Sequence, residues 1–212
     1  MDESKCKIVK KSDNQTSALL KKNAPSVSAS LRYIGIDPGT NVLGYAVIEV
    51  VEQKIKLLDI GVLKLGHLSK HQWKLKKIFE HIADLIDRYF PNEMAIEAPF
   101  YGKNVQSMLK LGRAQGVAIA AAITQGVPIV EYAPKKIKQS VTGNGNAAKE
   151  QVAAMLTNIL NLSLSDQYLD ATDALAAAVC HYYQTQSVIG GRKQHGDWAS
   201  FLKDNPKRVA IK

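Results

Sequence analysis

The 212-residue chain is 46% hydrophobic and 22% charged, a balance that supplies one full core and rules out a disordered or fibrous chain. Its longest apolar runs, Gly116–Ile123 and Leu175–Cys180, are far too short to cross a bilayer, and residues 1–30 hold no apolar secretory core. Two cysteines, Cys6 and Cys180, argue against a disulfide framework and for a reducing, cytoplasmic setting, while a net charge of +9 points to an anionic partner.

Residues 1–30 carry six lysines and three acids among Ser, Asn and Thr, and lack sustained periodicity, so a basic, disordered arm is expected there. Tyr33–Ile36 is a short apolar run broken by Asp37-Pro38-Gly39-Thr40, the signature of a central strand and its turn. Gly44–Val51 and Lys54–Lys64 read as two more strands around Glu52-Gln53, which makes an antiparallel meander of the first three. From Lys70 to Phe90, Leu75, Ile78, Phe79, Ile82, Leu85, Ile86 and Tyr89 recur at helical spacing, and Pro91 closes that helix.

Met94–Glu97 is a buried strand stopped by Pro99, and Val105–Gln125 an Ala-rich helix able to pack closely on a neighbour. Val127–Glu131 is a fifth strand, and Pro134 opens a short helix to Ser140. Thr142–Asn146 is a glycine loop able to offer backbone N–H groups to a phosphate, with Asn146 as N-cap of a helix over Ala147–Asn161. A last helix covers about Leu169 to Gln186, and residues 187–212, with six basic residues and two aspartates, form a second basic, flexible tail. The order predicts an α/β fold with a mixed sheet in a single domain over 31–186. No internal repeat is present.

The acids stand at telling places in this pattern. Asp37 ends the first strand and Glu97 the fourth, while Asp170 and Asp173 share one face at the start of the last helix. Singly, Asp37 reads as a turn residue and Asp170 as a helix-start residue; Glu97, interrupting a buried apolar strand, is harder to explain structurally. Strand ends display functional groups in α/β sheets, so the four can meet in one cleft. Gathered carboxylates repel unless cations intervene, and hard oxygen donors select Mg2+ or Mn2+. A pair of such ions suits in-line displacement at a phosphodiester. A middle segment of net charge only +2 between basic ends fits an acidic centre in a basic, polyanion-binding surface.

YIGIDPGTNVLGYAVI (Tyr33–Ile48) resembles the first strand-turn-strand of the RuvC family of Holliday-junction resolvases. AIEAPF (Ala95–Phe100), KNVQSMLKLGRAQGVAI (Lys103–Ile119), KQSVTGNGNAAKEQV (Lys138–Val152) and DATDALAAAVCHYY (Asp170–Tyr183) are similar to its later blocks, in the same order. The resemblance implies a ribonuclease-H-like fold with a mixed five-stranded sheet flanked by helices. It implies a homodimer that nicks two opposed strands of a four-way junction, and a branch-migration complex of RuvA and RuvB family proteins as partner. It further implies that Asp37, Glu97, Asp170 and Asp173 are catalytic and hold two Mg2+ ions per active site, with Mn2+ able to substitute. Where the family commonly has Gln before an apolar-aromatic pair, this chain has Ala98-Pro99.

For DNA contact, Phe100 and Tyr101 follow Glu97 directly and offer rings for stacking on an unpaired base, although such rings are as often core. Phe100 aligns with the family's aromatic wedge, and Lys138 and Lys149, flanking the glycine loop, match its basic positions. Lys103, Lys110 and Arg113 lie on or beside one helix and are set to neutralise phosphates, against the plain alternative of solvated cations. His181 is a candidate neighbour of the acidic helix; Trp73 and Trp198 are expected to pack. The competing classes are an actin-like ATPase, whose phosphate loop also reads Asp-x-Gly-Thr, a junction binder without catalysis, and a ribonuclease-H-like enzyme cutting RNA–DNA hybrids.

Overall fold

A computed structural model describes residues 30–99, 104–161 and 169–189, with the side chains of 169–170 and 187–189 left aside. Strands β1 (Leu31–Asp37), β2 (Val42–Val51) and β3 (Lys54–Lys64) form the expected meander. Glu52 (φ 50°) and Gln53 (φ 63°) both take the left-handed conformation, making the tight primed turn that suits strand twist. Helix α1 (His71–Tyr89) then returns along the sheet, and β4 (Glu93–Glu97) lies parallel to β1. Helix α2 (Val105–Thr124) leads to β5 (Ile129–Tyr132), parallel to β4, followed by α3 (Pro134–Thr142), α4 (Lys149–Leu160) and α5 (Leu169–Ile189). The strand order is β3-β2-β1-β4-β5, the mixed five-stranded sheet that was expected.

Alternation along β1 sorts the two faces of the sheet. Ile34 and Ile36 join Leu43, Val47, Met94 and Ile96 under α1 and α2. Tyr33 joins Ala46, Ile48 and Ala95 under α3, α4 and α5. On that second face Ala171, Ala174, Ala177 and Ala178 of α5 are fully buried, so the helix backbone lies close to the strands. Gly35 is the contact point: a Cβ there would sit 2.0 Å from the Ala174 carbonyl oxygen and 2.8 Å from the Ala178 nitrogen.

Several boundaries differ from expectation for local reasons. β5 begins two residues late because Pro128 has no N–H to give the ladder; its carbonyl instead accepts from Met94 N at 2.8 Å. Helix α4 begins at Lys149, capped where the Gln151 side chain accepts from Ala148 N at 2.9 Å, and not at Asn146. Asn146 is engaged earlier, its N–H donating to Asn144 Oδ1 at 3.0 Å in an Asx turn. Trp73 is half exposed on α1, where packing was expected; Trp198 lies outside the described residues. Helix α5 continues past Gln186 to Ile189. Among the described residues no helix is long and apolar enough to cross a membrane.

Chain direction gives the sheet a functional rim. β1 and β4 end together, since Ile36 pairs with Ile96 in parallel register. Helix α1 starts at that rim, where Leu65 N donates to Asn41 O and Lys74 Nζ to Thr40 O. Helix α2 follows β4 from it, and α4 and α5 bring Lys149 and Asp173 to it.

Candidate active site

The parallel register explains why two acids distant in sequence meet. Asp37 and Glu97 each follow the Ile36–Ile96 pair, on strands roughly 4.8 Å apart. Both occupy the alternation phase of Gly35 and Ala95, so both face α5. On α5, Asp173 immediately precedes Ala174, the residue that rests on Gly35. One close helix-to-strand contact therefore sets the third acid beside the other two. Asp37, Glu97 and Asp173 line a cleft of about 360 Å3 with Lys138, Lys149 and Pro134.

Asp170 lies in the first turn of α5, but its side chain falls outside those described. Ala98-Pro99 does not displace Glu97: Ala98 N still donates to Tyr132 O at 2.9 Å, tying the end of β4 to β5. The turn after Asp37 is equally fixed. A Cβ on Gly39 would meet Val42 O at 1.7 Å, and Lys74 Nζ bonds both Thr40 O and Asn41 Oδ1 at 2.9 Å.

The electrostatics are those of crowded carboxylates. Burial first, then the charges of Asp37 and Asp173, push Glu97 up to about 7, against the pull of Lys149 and Lys138. Lys149 Nζ stands 2.7 Å from Asp173 Oδ2, and Lys138 Nζ donates to Ala147 O at 2.9 Å. All these acids are hard oxygen donors in a site where a divalent cation would relieve repulsion, so the chemistry fits Mg2+ or Mn2+. Among the described residues no three His, Cys, Asp or Glu side chains form a closed ligand group.

A stability prediction follows from Glu97. Between its ordinary value of 4.5 and about 7, the unfolded chain releases the Glu97 proton before the folded chain does. Stability therefore falls as pH rises through this window and levels off above it. The full shift is worth about 3 kcal/mol, and solvent at the cleft mouth reduces this to about 1–2 kcal/mol. Glu97→Gln should raise the metal-free melting temperature by a few degrees at pH 8 and leave it nearly unchanged at pH 4. An equal shift at both pH values would mean the carboxylate is not strained.

The other candidates divide. Lys138 and Lys149 are in the cleft; Lys110 and Arg113 are exposed on α2 and do not line it. Phe100, Tyr101 and Lys103 lie outside the described residues. The glycine loop spends its N–H groups internally: Gly143 N donates to Gln139 O, Asn144 N to Thr142 Oγ1 and Ala147 N to Asn144 O. With Asn146 N on Asn144 Oδ1 as well, four N–H groups of residues 143–147 are bonded within the protein.

His181 belongs to a structural cluster. Its Nδ1 is 2.8 Å from Tyr132 Oη and its Nε2 2.9 Å from Glu93 Oε2, while its ring meets Tyr33 edge-on. Burial lowers its pKa more than Glu93 raises it, and burial pushes Tyr132 up to about 12. Sequence reasoning gave His71 no role and did not single out Lys74, which braces the turn after Asp37. The available signal was a lysine on the inner stripe of α1 with Leu75 and Ile78, where a purely structural helix would place an apolar side chain.

Comparison with known proteins agrees with this geometry. The family model described as crossover junction endodeoxyribonuclease RuvC matches residues 33–181. The crossover junction endodeoxyribonuclease RuvC of Cytophaga hutchinsonii is 57% identical over 191 residues, covering 90% of this chain and 94% of that one. That of Christiangramia forsetii is 54% identical over 190 residues, 89% of this chain and 98% of its own. The solved structure of T. thermophilus RuvC in complex with a Holliday junction substrate superposes with a TM-score of 0.70 at 32% identity, covering 74% of this chain and 96% of that one.

Proposed function

The chain belongs to the RuvC family of crossover junction endodeoxyribonucleases, and on that premise we propose that it resolves four-way (Holliday) DNA junctions by paired symmetrical nicks. The observation that carries the reading is the meeting of Asp37, Glu97 and Asp173, from three elements, in one cleft flanked by Lys138 and Lys149. A protein that only bound DNA would gain nothing from three acids facing a polyanion, whereas a metal-dependent nuclease needs them. The ribonuclease-H-like sheet supplies the frame, since its paired strand ends hold the first two acids at fixed separation.

In this reading Asp37, Glu97, Asp170 and Asp173 hold two Mg2+ ions, with Mn2+ able to substitute. Such ions, when bound, activate water and stabilise the leaving oxygen of an in-line phosphoryl displacement. The protein's own groups do the rest. Lys138, anchored on Ala147 O, keeps a positive charge beside Glu97 where negative charge grows on the phosphate. Lys149 holds Asp173 in place through their ion pair and can also meet the phosphodiester. Synthetic four-way junctions, linear duplex and RNA–DNA hybrid, each incubated with Mg2+ or with chelator, test the assignment. Junction-selective, chelator-sensitive nicking is expected; cutting of the hybrid alone, or indifference to chelator, would overturn it.

Paired nicks need two active sites, and α2 supplies a face for a homodimer. Val105, Leu109 and Ile123 are 66, 55 and 60% exposed, and they share one side of the helix with Gly112 and Gly116, where an added Cβ would have nothing within 4 Å. Leu109→Glu should convert the dimer to monomer in sedimentation and abolish paired nicking, with the melting curve of the monomer preserved. An unchanged sedimentation coefficient would move the interface elsewhere. The branch-migration complex of RuvA and RuvB family proteins completes the proposed partners.

A further inference from the structure

Resting on the reading above, we propose that Lys74 is a positioning residue for strand cleavage: reaching from α1 to the turn after β1, it fixes where Asp37 presents its carboxylate to the metal ions. The way this turn is built calls for support from outside. Asp37 makes the last pair of β1, with Gly44, and residues 38–41 then reverse the chain before β2 begins. Pro38 has no N–H to donate, and Gly39 lies so close to Val42 O that no side chain fits there. The acid therefore stands where ladder bonding stops.

Two other elements hold the turn. Leu65 N, just past β3, donates to Asn41 O at 2.7 Å, and Lys74 Nζ donates to Thr40 O and to Asn41 Oδ1, each at 2.9 Å. Lys74 is unlike the lysines that follow it on α1. Lys76 and Lys77 have side chains 60% exposed and pair with Glu80 at the surface. Lys74 is half-buried and, among the described residues, has no carboxylate within ion-pair distance. Its ammonium goes to two neutral oxygens of the turn, and a charged donor makes such bonds about twice as strong as a neutral one does.

The anchor of this lysine is rigid. Ile78 and Ile82, one and two helical turns further on, are fully buried in the cluster that holds Ile34 and Ile36 of β1. Helix, strand and turn thus form a closed frame, and the Lys74 bonds complete it three residues beyond Asp37. Lys138 and Lys149 line the cleft and Lys74 does not, so its influence on the reaction passes through the turn. Mg2+ demands near-ideal octahedral geometry, so a displaced carboxylate lowers metal affinity as well as rate.

The test compares wild type with Lys74→Met, which keeps the stem and loses the ammonium, and Lys74→Arg, which keeps a charged donor; melting curves give the folded fraction. Single-turnover junction cleavage at limiting Mg2+ should fall about 10- to 100-fold in Lys74→Met and be largely restored in Lys74→Arg. Mn2+ binding to the DNA-free protein, read from the EPR signal of the free ion, should weaken several-fold in Lys74→Met. Junction affinity in chelator and its slope against salt should keep their wild-type values, because this ammonium serves the turn and not a phosphate. Asn41→Ala, at an exposed position, removes one acceptor and should show the same pattern in smaller degree, including in the event that Lys74→Met does not fold. Its loss should not add to that of Lys74→Met. Wild-type Mn2+ affinity and wild-type cleavage per folded molecule in the variants would overturn the proposal, as would weaker junction binding with a shallower salt slope in Lys74→Met. Wild-type protein that cuts no junction with either metal would instead remove the nuclease assignment on which the proposal rests.

Discussion

Asp37→Asn is expected to lower junction cleavage on the order of 10^3-fold while junction affinity is kept or increased. The two effects separate because, in the proposed reading, Asp37 serves chemistry and opposes binding. Its carboxylate sits at a strand end fixed on both sides, by the pairing of Asp37 with Gly44 and by the Lys74-braced turn beyond it. An amide of the same shape leaves that framework intact, so no structural loss should obscure the result. What disappears is one anionic oxygen from the proposed metal-holding set and one repulsive charge facing the DNA. Relief should also reach Glu97, whose raised pKa owes its second-largest cause to Asp37. Single-turnover cleavage and gel-shift titration on one junction read both effects. Wild-type cutting by the variant would expel Asp37 from the active site.

The second large effect is expected at a residue with no side chain. In Gly35→Ala the new methyl would meet the Ala174 carbonyl and the Ala178 nitrogen, both backbone atoms that no rotamer change can move. Either α5 lifts from the sheet or β1 sinks, at a cost of about 3 kcal/mol and roughly 10 °C in melting temperature. Activity per folded molecule should fall further, by about 100-fold, because lifting α5 carries Asp173 away from Asp37 and Glu97. Gly66→Ala, where nothing lies within 4 Å of the added carbon, is the control and should change stability by less than about 1 kcal/mol. A melting temperature for Gly35→Ala equal to that control would show that the helix is not seated so closely.

These two residues mark what could and could not be read from the chain. Asp37 and Glu97 were legible because each ends a short apolar run before a Gly or Pro turn, and local pattern fixes such positions. The meander, the helices and the mixed sheet were legible for the same reason. That Asp37 and Glu97 become neighbours was not a local fact, because β1 and β4 pair across about sixty intervening residues. Gly35 looked like an ordinary strand residue, since its role is defined by a helix more than a hundred positions away. The Asn146 cap failed because Asn146 lies inside the Asx turn of Asn144, two residues short of the Ala148 cap position, where Gln151 accepts from Ala148 N. Lys74 passed unnoticed because it sits just where the apolar stripe of α1 begins, and only the fold brings it to Thr40 and Asn41.

That four helices begin at one rim of the sheet has a consequence for how the molecule meets its substrate. The N-terminal ends of α1, α2, α4 and α5 lie there, so unpaired backbone N–H groups add partial positive charge to the edge that holds the acids. A phosphate brought within a helical turn of this edge would be met by backbone as well as by lysines. Because the backbone provides this part of the field, single lysine replacements would leave it standing.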